Sequence, residues 1–309
     1  MAHEYTYGLA VIDKLEFLLA LAREKHFGRA AEACGVTQPT LSAGVKQIED
    51  SFGVLLVNRG SRFQGFTPEG ERVLEWARRI VGDTQAMRQE VHALRHGLAG
   101  RLRLAVIPTA LAMVETLTTP YRAKHPAVQF TVFSRTSIEI LDEIENLEAD
   151  AGLTYLDNEP LGRVNAIPFY RERYRLLVAA DAPLAEREEV SWSEVAQVPL
   201  CLLTPDMQNR RIIERLLRET GAEPNITLES DSMILLYSHV RTGRWASVMP
   251  AHLAASLGLT ETNNLRAIPI VGPEASLTIG LVFPLREPST PLVAALVAEA
   301  RRVAPLLAD

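Results

Sequence analysis

Cysteine is scarce in this chain of 309 residues, where only Cys34 and Cys201 occur. One falls in an expected helix and the other in an expected strand, and no metal-ligand spacing surrounds either. Two isolated thiols exclude a disulfide-stabilised secreted scaffold and a zinc module. We therefore expect two structural thiols in a reducing compartment.

Long apolar runs are missing as well. No stretch of the sequence is long enough to span a bilayer, and the N-terminus lacks the basic start and small-residue cleavage site of a signal peptide. We therefore expect a cytoplasmic protein with no membrane partner. Hydrophobic residues make up 47% of the chain and charged residues 23%, which is ordinary for a globular protein that holds two or three domains.

The motifs that carry enzyme chemistry are equally absent from the sequence. There is no zinc-protease pairing of histidines, no phosphate-cradling glycine loop, no nucleophile elbow and no Cys–His couple at useful spacing. The seven histidines are scattered, and His26 and His252 abut expected helix ends. We expect no catalytic residue, no metal site and no cofactor.

Positive charge is in deficit overall but is unevenly distributed. The net charge is −6, which taken alone argues against a nucleic-acid partner. Up to Arg103, however, 14 basic residues stand against 12 acidic ones, while the remainder holds 18 against 26. A weakly positive module on an acidic body predicts DNA contact through a focused patch, with an affinity that falls as salt rises.

A helix-turn-helix pattern occupies the stretch 27–52. A short helical run, Gly28 to Cys34, is followed by a second helix that Thr37 caps and Pro39 opens. The second helix carries an apolar stripe at helical spacing, formed by Leu41, Val45, Ile48 and Phe52. The opposite face bears short, polar or cationic side chains that suit a major groove, namely Gln38, Thr40, Ser42, Ala43, Lys46 and Gln47.

A wing follows these helices. Two short segments typical of strands, 55–58 and 63–66, flank a tight basic tip. Its arginines, Arg59 and Arg62, can straddle the DNA backbone or enter a minor groove. The alternative is a small helical hairpin with an ordinary charged surface. The capped polar helix, the wing and the next segment in series favour a winged helix-turn-helix.

The line from Leu15 to Gly70 resembles the N-terminal domain of LysR-type transcriptional regulators. The matching stretches are 27–32, 36–42, 47–49, 52–54 and 67–70. Two departures matter, because Ala43 stands where the family often has an arginine and Gly44 lies inside the recognition helix, where glycine costs about 1 kcal/mol relative to alanine. The operator preference of relatives therefore does not transfer. The DNA-contacting residues that we expect are Gln38, Pro39, Thr40, Ser42, Lys46, Arg59 and Arg62.

The first helix supports this motif from behind. Asp13 and Glu16 have the spacing of a capping box, so we expect the helix to begin there and residues 1–12 to be frayed. Its role is structural.

A long helix begins after Thr67, which caps it. Along it, residues recur in alternate steps of four and three, which is a heptad seam: Val73, Ala77, Ile80, Thr84, Met87, Val91, Leu94 and then Leu98. A face packed on its own domain is the alternative. Paired DNA-reading modules match symmetric half-sites, so we favour a two-stranded dimer interface from Val73 to Leu94, with a hinge at 97–100.

Strands and helices alternate beyond Arg101. The expected strands are 102–107, 129–133, 151–155, 176–178, 200–203, 226–228, 246–249, 265–269 and 278–283. The expected helices are 109–124, 137–146, 206–220, 232–242 and 291–303. Apolar strands that alternate with amphipathic helices indicate parallel sheets covered on both faces. We therefore expect two Rossmann-like lobes with a cleft between them.

This half resembles the effector-binding domain of the same regulators, itself similar to periplasmic solute-binding proteins. The matching landmarks are 103–106 with Thr109, 148–153, and 240–243 leading to 248–250, although Trp245 stands where the family usually has a small residue. The expected fold class is α+β multidomain: an N-terminal winged helix-turn-helix, a long linker helix and a C-terminal two-lobed α/β domain. The expected boundaries are 1–67, 68–100 and 101–309, with lobe I at 101–170 and 265–309 and lobe II at 171–264.

A ligand of such a cleft binds at the carboxyl ends of strands, where helix N-termini offer free N–H groups. Hydroxyl residues recur at these points, although each one alone is more simply a helix cap. The effector-binding residues that we expect are Thr109, Thr136, Ser137, Thr154 and Thr204. Together they suit a small carboxylate. The run 204–211 is similar to regulators associated with formate dehydrogenase operons, which makes formate the leading candidate.

The resemblance implies a transcriptional regulator that binds double-stranded promoter DNA as a homodimer or homotetramer and responds to a small organic acid. Contact with RNA polymerase is a further expectation. Two alternatives remain open. One is an architectural DNA-binding protein without a ligand, which would not need two lobes. The other is a cytoplasmic solute-binding protein, which would not need the DNA module.

Overall fold

The computed structural model describes residues 2–60, 63–258, 264–272 and 277–307, and of residues 2–10 and 59 it describes the backbone only. The chain divides into two compact units. Unit 1 comprises Met1–Gly97 with Glu145–Leu147, and unit 2 comprises Leu98–Ile144 with Glu148–Asp309. None of the helices in the described ranges has both the length and the apolar character that a bilayer crossing requires.

Unit 1 is a helical module with a two-stranded wing. Its elements are α1 (Ala2–Glu24), α2 (Phe27–Ala33), α3 (Gln38–Phe52), β1 (Val57–Arg59), β2 (Phe63–Phe66) and α4 (Pro68–His96). The expectation that α1 starts at a capping box is wrong, since the helix runs from Ala2 and places Asp13 and Glu16 in its interior. The spacing of a capping box alone does not exclude an earlier start.

The core of unit 1 is built by α3 on α1 and α2. The predicted stripe is confirmed for Leu41, Val45 and Ile48, which are buried, whereas Phe52 is 59% exposed at the helix end. Gly44 has a packing role that the sequence did not reveal. A Cβ atom placed there would lie 2.7 Å from Cδ2 of Phe17, so the glycine allows α1 and α3 to approach closely.

The start of α4 is packed directly against the wing. The Thr67 hydroxyl accepts a hydrogen bond from the backbone nitrogen of Gly70 at 3.0 Å and donates to the carbonyl oxygen of Leu55 at 2.7 Å. A Cβ atom on Gly70 would lie 2.0 Å from the carbonyl oxygen of Leu56, so only glycine fits. The cap therefore fixes the first turn of α4 to the strand that leads into β1.

The described part of unit 2 contains a five-stranded sheet, a four-stranded sheet and a two-stranded parallel pair. Its strands are β3 (Gly100–Val106), β4 (Val128–Ser134), β5 (Ala151–Tyr155), β6 (Val164–Glu172), β7 (Tyr174–Ala179), β8 (Val190–Ser191), β9 (Leu200–Leu203), β10 (Ile226–Ser230), β11 (Ser247–Pro250), β12 (Leu265–Val271) and β13 (Leu277–Pro284). Its helices are α5 (Glu115–Lys124), α6 (Ser137–Glu145), α7 (Trp192–Ala196), α8 (Gln208–Glu219), α9 (Met233–Val240), α10 (Ala251–Ser256) and α11 (Pro291–Val303). A 3₁₀ turn over Pro108–Met113 precedes α5, and a second one covers Ala304–Leu307.

The first sheet has the order β4-β3-β5-β13-β6. Strand β3 is parallel to β4 and β5, as their nearly continuous apolar runs predict, but β13 is antiparallel to β5 and β6. The sheet is therefore mixed rather than parallel. The sequence also missed β6, because its alternating exposed and buried residues make a weak apolar run.

The second sheet has the order β11-β7-β12-β8, and the parallel pair β9–β10 joins it through a bridge between Leu200 and Ala246. The assignment of 265–269 to lobe I is wrong. Strand β12 pairs antiparallel with β7, with Leu265 opposite Ala179, and so belongs to the second lobe. Strand β13, α11 and the final 3₁₀ turn return to the first lobe. The sheet that a closing strand joins depends on a partner strand distant in sequence, so local sequence patterns do not predict it.

Candidate DNA-contacting face and ligand cleft

The turn between α2 and α3 is fixed by two capping side chains. Nδ1 of His26 accepts hydrogen bonds from the backbone nitrogens of Gly28 at 3.0 Å and Arg29 at 3.3 Å, so this histidine is the N-cap of α2. Thr37 caps α3 by accepting from the backbone nitrogen of Thr40 at 3.4 Å. His26 therefore has a structural role, as its position at a helix end predicts.

One face of α3 is free of core contacts. Gln38, Pro39, Thr40 and Lys46 are exposed and Ser42 is half-buried, while the buried stripe faces α1. The hydroxyl groups of Thr37 and Thr40 lie 2.9 Å apart, so Thr40 shares a hydrogen bond with the cap. This exposed face presents amide, hydroxyl and ammonium groups of the kinds that bind base edges and phosphates.

The wing is a short antiparallel hairpin, with Val57 opposite Phe66 and Arg59 opposite Phe63. The ring of Phe63 packs edge-on against Phe27 of α2 at 6.3 Å and against Phe66 at 5.3 Å, which attaches the hairpin to the helices. The backbone of Arg59 ends β1. The Arg59 side chain and all of Arg62 lie outside what the structure describes.

A buried carboxylate joins the wing to α3. Oε1 of Glu49 accepts hydrogen bonds from the backbone nitrogens of Leu56 at 3.0 Å and Val57 at 3.2 Å, and all three residues are buried. The sequence did not predict this role for Glu49. Glu49 nevertheless stands eight positions after Leu41 on the apolar face, and a charged residue on a buried stripe is a signal that it has a specific partner.

The seam of α4 divides into two parts. Ala77 is fully buried and Val73 packs against the core of unit 1, so for these positions the alternative of a face packed on its own domain applies. Farther along, the large apolar side chains are exposed: Ile80 by 43%, Met87 by 59%, Val91 by 49% and Leu94 by 82%. Thr84 donates its hydroxyl to the carbonyl oxygen of Ile80 at 2.8 Å. Leu98 lies beyond the end of α4.

In unit 2, one of the five expected effector residues, Thr109, contacts a buried polar network. Thr109 is 1% exposed, and its hydroxyl lies 3.5 Å from the hydroxyl of Tyr155 at the end of β5. Thr154, the preceding residue in β5, is fully buried, and its hydroxyl has no hydrogen-bond partner among the described residues. Both residues lie at the carboxyl ends of strands, where ligands of open sheets bind.

The other three expected effector residues have different surroundings. Thr136 forms a capping box, because its hydroxyl accepts from the nitrogen of Glu139 at 3.2 Å and its own nitrogen donates to the Glu139 carboxylate at 2.8 Å. The neighbouring Ser137 is buried, and its hydroxyl has no partner within the described ranges. Thr204 is half-buried after β9, and its carbonyl oxygen accepts from the nitrogen of Met207 at 3.0 Å.

The polar network centres on a carboxyl group that was not predicted from the sequence. Glu172, at the end of β6, bonds to the hydroxyl of Tyr155 and is completely buried. Asn209 donates from its side-chain amide to the hydroxyls of Tyr155 at 3.0 Å and Tyr174 at 3.3 Å. Burial raises the pKa of Glu172 to about 7. The strict alternation of buried Tyr170, Glu172 and Tyr174 was the available signal.

The N-terminus of α8 is built into the same region. Its N-cap, Met207, supplies no side-chain hydrogen bond, so the first N–H groups of this 12-residue helix have no capping side chain. Arg210 in the first turn of this helix is buried rather than solvated. Its side chain is 6% exposed and pairs with Glu229 at 2.5 Å and Glu214 at 3.1 Å. The two acids neutralise this guanidinium.

Trp245, the departure from the family pattern, is half-buried in the second lobe. Its indole nitrogen donates to the hydroxyl of Thr227 at 2.9 Å, and its ring packs edge-on against His239 at 5.4 Å. This places the indole beside β10 and α9.

Both cysteines are free thiols. Cys201 is fully buried in β9, and burial raises the pKa of its thiol to about 11. Burial also raises the pKa of Cys34. Within the described parts of the chain, no group of three or more His, Cys, Asp or Glu side chains is arranged to hold a metal ion.

Two family descriptions match the chain. The one described as "Bacterial regulatory helix-turn-helix protein, lysR family" matches residues 12–71. The one described as "LysR substrate binding domain" matches residues 95–305, which is more than half of the chain.

Relatives of known sequence cover most of the chain. A hydrogen peroxide-inducible genes activator of Pectobacterium carotovorum subsp. carotovorum is 27% identical over 282 residues, which is 91% of either chain. The DNA-binding transcriptional dual regulator OxyR of Escherichia coli (strain K12) is 27% identical over 290 residues, covering 91% of this chain and 90% of that one.

Solved structures are similar over the full length. A full-length OxyR variant from Pseudomonas aeruginosa has a TM-score of 0.73 at 26% identity, covering 95% of this chain and 96% of that one. Full-length CbnR in complex with its target DNA has a TM-score of 0.61 at 21% identity, covering 95% and 99%. The second likeness is evidence for the fold alone.

Proposed function

The chain belongs to the LysR family of DNA-binding transcriptional regulators, and from this premise we propose which of its residues contact DNA, its partner copy and its effector. It is a regulator with an effector-binding domain, not an enzyme. A regulator acts where the DNA is, so we propose the cytoplasm as its location. Contact with RNA polymerase belongs to the same proposal.

The DNA proposal rests on the two faces of α3. Gln38, Pro39, Thr40, Ser42 and Lys46 form the face that does not pack on the core, and we assign it to a major groove. Arg59 and Arg62 of the wing are assigned to the flanking backbone or minor groove on the sequence argument alone. The contacts of Phe63 with α2 support a wing held at a fixed position beside α3.

Gel-shift titrations at several salt concentrations test this assignment, with an operator selected from random DNA by the protein itself. Gln38→Ala should relax sequence preference. Arg62→Ala should weaken specific and non-specific binding together and reduce the salt slope by about one. Arg215→Ala removes the same charge from an exposed position in unit 2 and is the matched control. An unchanged salt slope for Arg62→Ala would show that the wing does not contact phosphate.

The assembly proposal is a dimer along α4, extended to a tetramer by family resemblance. The observation in its favour is the run of exposed apolar side chains at steps of seven, four and three: Ile80, Met87, Val91 and Leu94. A second copy would cover them as a coiled coil does.

The effector proposal is a small carboxylate, with formate first, bound near Thr109 and Thr154 and the uncapped N-terminus of α8. Free N–H groups at a helix start attract an anion. The raised pKa of Glu172 supports the proposal, because the protonated form of this acid does not repel an anion. Thr136, Ser137 and Thr204 are the remaining candidates, although the hydroxyl of Thr136 already caps α6.

A response to peroxide, as in the names of the relatives, is the second candidate. Oxidation of a protein by peroxide needs an accessible thiolate. Cys201 is fully buried with a pKa of about 11, so it is a poor nucleophile. The raised pKa of Cys34 argues in the same direction. The thiols of this chain therefore favour the carboxylate over peroxide.

A thermal-shift screen of small carboxylates and of peroxide against the full chain tests both candidates. A ligand of the cleft should raise the melting temperature with concentration, and Thr109→Val and Thr154→Val should abolish the rise. Thr227→Val, which alters a hydroxyl elsewhere in unit 2, is the control. A hit of another chemical class, or one indifferent to both threonines, would refute the carboxylate assignment. Stabilisation by no small molecule at all would favour the architectural alternative.

A further inference from the structure

A buried carboxyl group lies where the chain passes from the five-stranded sheet of unit 2 to the four-stranded one. Glu172 ends β6 in the first sheet, and after a single residue the chain enters β7 in the second. The side chain is 0% exposed, and its Oε2 atom has no hydrogen-bond partner among the described residues. An ionised carboxylate with one buried oxygen unpaired is costly, whereas a protonated acid leaves less charge to satisfy.

The hydrogen-bonded network that includes this carboxyl draws on both lobes. The hydroxyl of Tyr155, on β5 of the first lobe, bonds to Oε1 of Glu172. Asn209, at the start of α8, donates to the hydroxyls of Tyr155 at 3.0 Å and of Tyr174, on β7, at 3.3 Å. Because α8 packs on β9 in the second lobe, the hydrogen-bonded chain from Glu172 through Tyr155 to Asn209 ties the lobes together.

Two outer contacts hold the same end of α8 to the first lobe. The side-chain amide of Gln208 donates to the carbonyl oxygen of Asp157 at 3.1 Å. Arg211 pairs with Glu159 at 2.7 Å, and each of these side chains is about one-third exposed. The start of α8 is therefore joined to the first lobe by one buried network and two contacts nearer the surface.

The surroundings of Glu172 contain no compensating cation among the described contacts. The groups that face it from the packed elements are Tyr155 from β5, Tyr170 from β6, Tyr174 from β7 and Asn209 from α8. Burial raises the pKa of all three tyrosines, so they are neutral. His252 of α10 packs on Tyr170 at 4.9 Å with its pKa lowered by burial. Arg171 and Arg173 flank Glu172 with exposed side chains.

We propose that the proton on Glu172 controls a latch between the two lobes: while the proton is present the network stays closed, and its loss releases the start of α8 from β5. The latch goes beyond the proposed function, because it needs no effector and holds for any ligand that the cleft takes.

The direction of the pH effect follows from the two environments of the carboxyl. In the closed form its pKa is about 7, while in an opened, hydrated form it returns towards its usual 4.5. The closed form therefore binds the proton more tightly, and opening becomes easier as pH rises. The opening equilibrium should increase about tenfold between pH 6 and pH 8 and level off above that range.

Hydrogen–deuterium exchange of the full chain, followed by mass spectrometry, measures this opening in peptides that cover 204–213. At each pH the exchange rate of the natural protein is compared with that of Glu172→Gln, whose side chain is neutral throughout. The intrinsic pH dependence of exchange therefore cancels. The ratio of the two exchange rates should rise about tenfold from pH 6 to pH 8. Glu159→Gln is the matched control, because it weakens the partly exposed ion pair with Arg211 and should speed exchange by the same factor at every pH.

Tyr155→Phe provides a test that does not depend on Glu172→Gln folding normally. It removes a hydrogen bond that favours the ionised carboxylate, so the midpoint of the pH effect should move to higher pH. A ratio that stays constant with pH, or a Glu172→Gln protein whose exchange follows that of the natural protein at every pH, would overturn the proposal. A midpoint unmoved in Tyr155→Phe would overturn it too.

Discussion

Replacing Glu49 tests how firmly the wing is attached to the recognition helix. Its carboxylate accepts hydrogen bonds from the backbone nitrogens of Leu56 and Val57, and both residues are 0% exposed. In Glu49→Ala two buried backbone N–H donors lose their acceptor, and each unsatisfied donor costs about 1–3 kcal/mol of stability. We expect the local free energy of opening to fall by about 4 kcal/mol, a large share of the total stability of a small domain.

Amide hydrogen exchange of peptides that cover 49–58 measures this loss in the full chain. A fall of about 4 kcal/mol corresponds to exchange about a thousandfold faster. Glu49→Gln keeps one acceptor oxygen but loses the charge, so its effect should be nearer tenfold. DNA affinity should fall in the same order, because a displaced wing no longer faces the groove beside α3.

Asp50→Ala is the control for charge, since Asp50 is the exposed neighbour on the same helix. It removes one negative charge from unit 1 without altering the contacts of the wing, so the protection of residues 49–58 from hydrogen exchange should stay unchanged. Exchange in Glu49→Ala that differs from that of Asp50→Ala by less than tenfold would refute the reasoning.

Three further predictions concern assembly, packing and pH. The double variant Ile80→Asp with Met87→Asp should have half the mass of the natural protein by light scattering, whereas Arg88→Asp, off the seam, should leave the mass unchanged. A double variant with the mass of the natural protein would refute the coiled-coil proposal. Gly44→Ala should lower the free energy of unfolding, measured by urea titration, by about 1 kcal/mol, because the clash with Phe17 outweighs the better helix propensity. Adding Phe17→Leu should restore the lost stability, and a Gly44→Ala protein more stable than the natural one would contradict the prediction. The pKa of Glu172 is raised to about 7 from its usual 4.5, so its stabilising contribution is complete below the lower value and lost as pH rises to the higher. Between pH 5 and pH 8 the natural protein should lose on the order of 2–3 kcal/mol relative to Glu172→Gln in urea titrations, and parallel profiles would argue against a buried acid.

The sequence predicted most where short-range patterns decide the structure. The stripe of Leu41, Val45 and Ile48, the caps at Thr37 and Thr67, and the paired strands of the wing all follow from spacings of a few residues. In unit 2 the alternation of strands and helices was likewise readable. It is carried by segments whose neighbours in space are also neighbours along the chain.

Contacts between distant segments could not be predicted in the same way. The place of β12 in the second sheet depends on β7, and the partners of Glu172 come from β5, β7 and α8. The alternation around Glu172 indicated an inward side chain but not what it meets. From the sequence, Gly44 was expected only to reduce the helix propensity of α3, because no local pattern shows that the Phe17 side chain packs against α3 at that point.

The close fit at Gly70 makes α4 a lever for the wing. Because the first turn of α4 is fixed to the Leu56 carbonyl and to the Leu55 carbonyl through Thr67, the wing moves with the helix axis. A helix of 29 residues is about 44 Å long, so tilting it by about 5° about its C-terminal end displaces the wing by about 4 Å. That is close to the rise of about 3.4 Å between successive base pairs. A small change in the angle between two paired α4 helices would therefore shift each wing by one step of the operator.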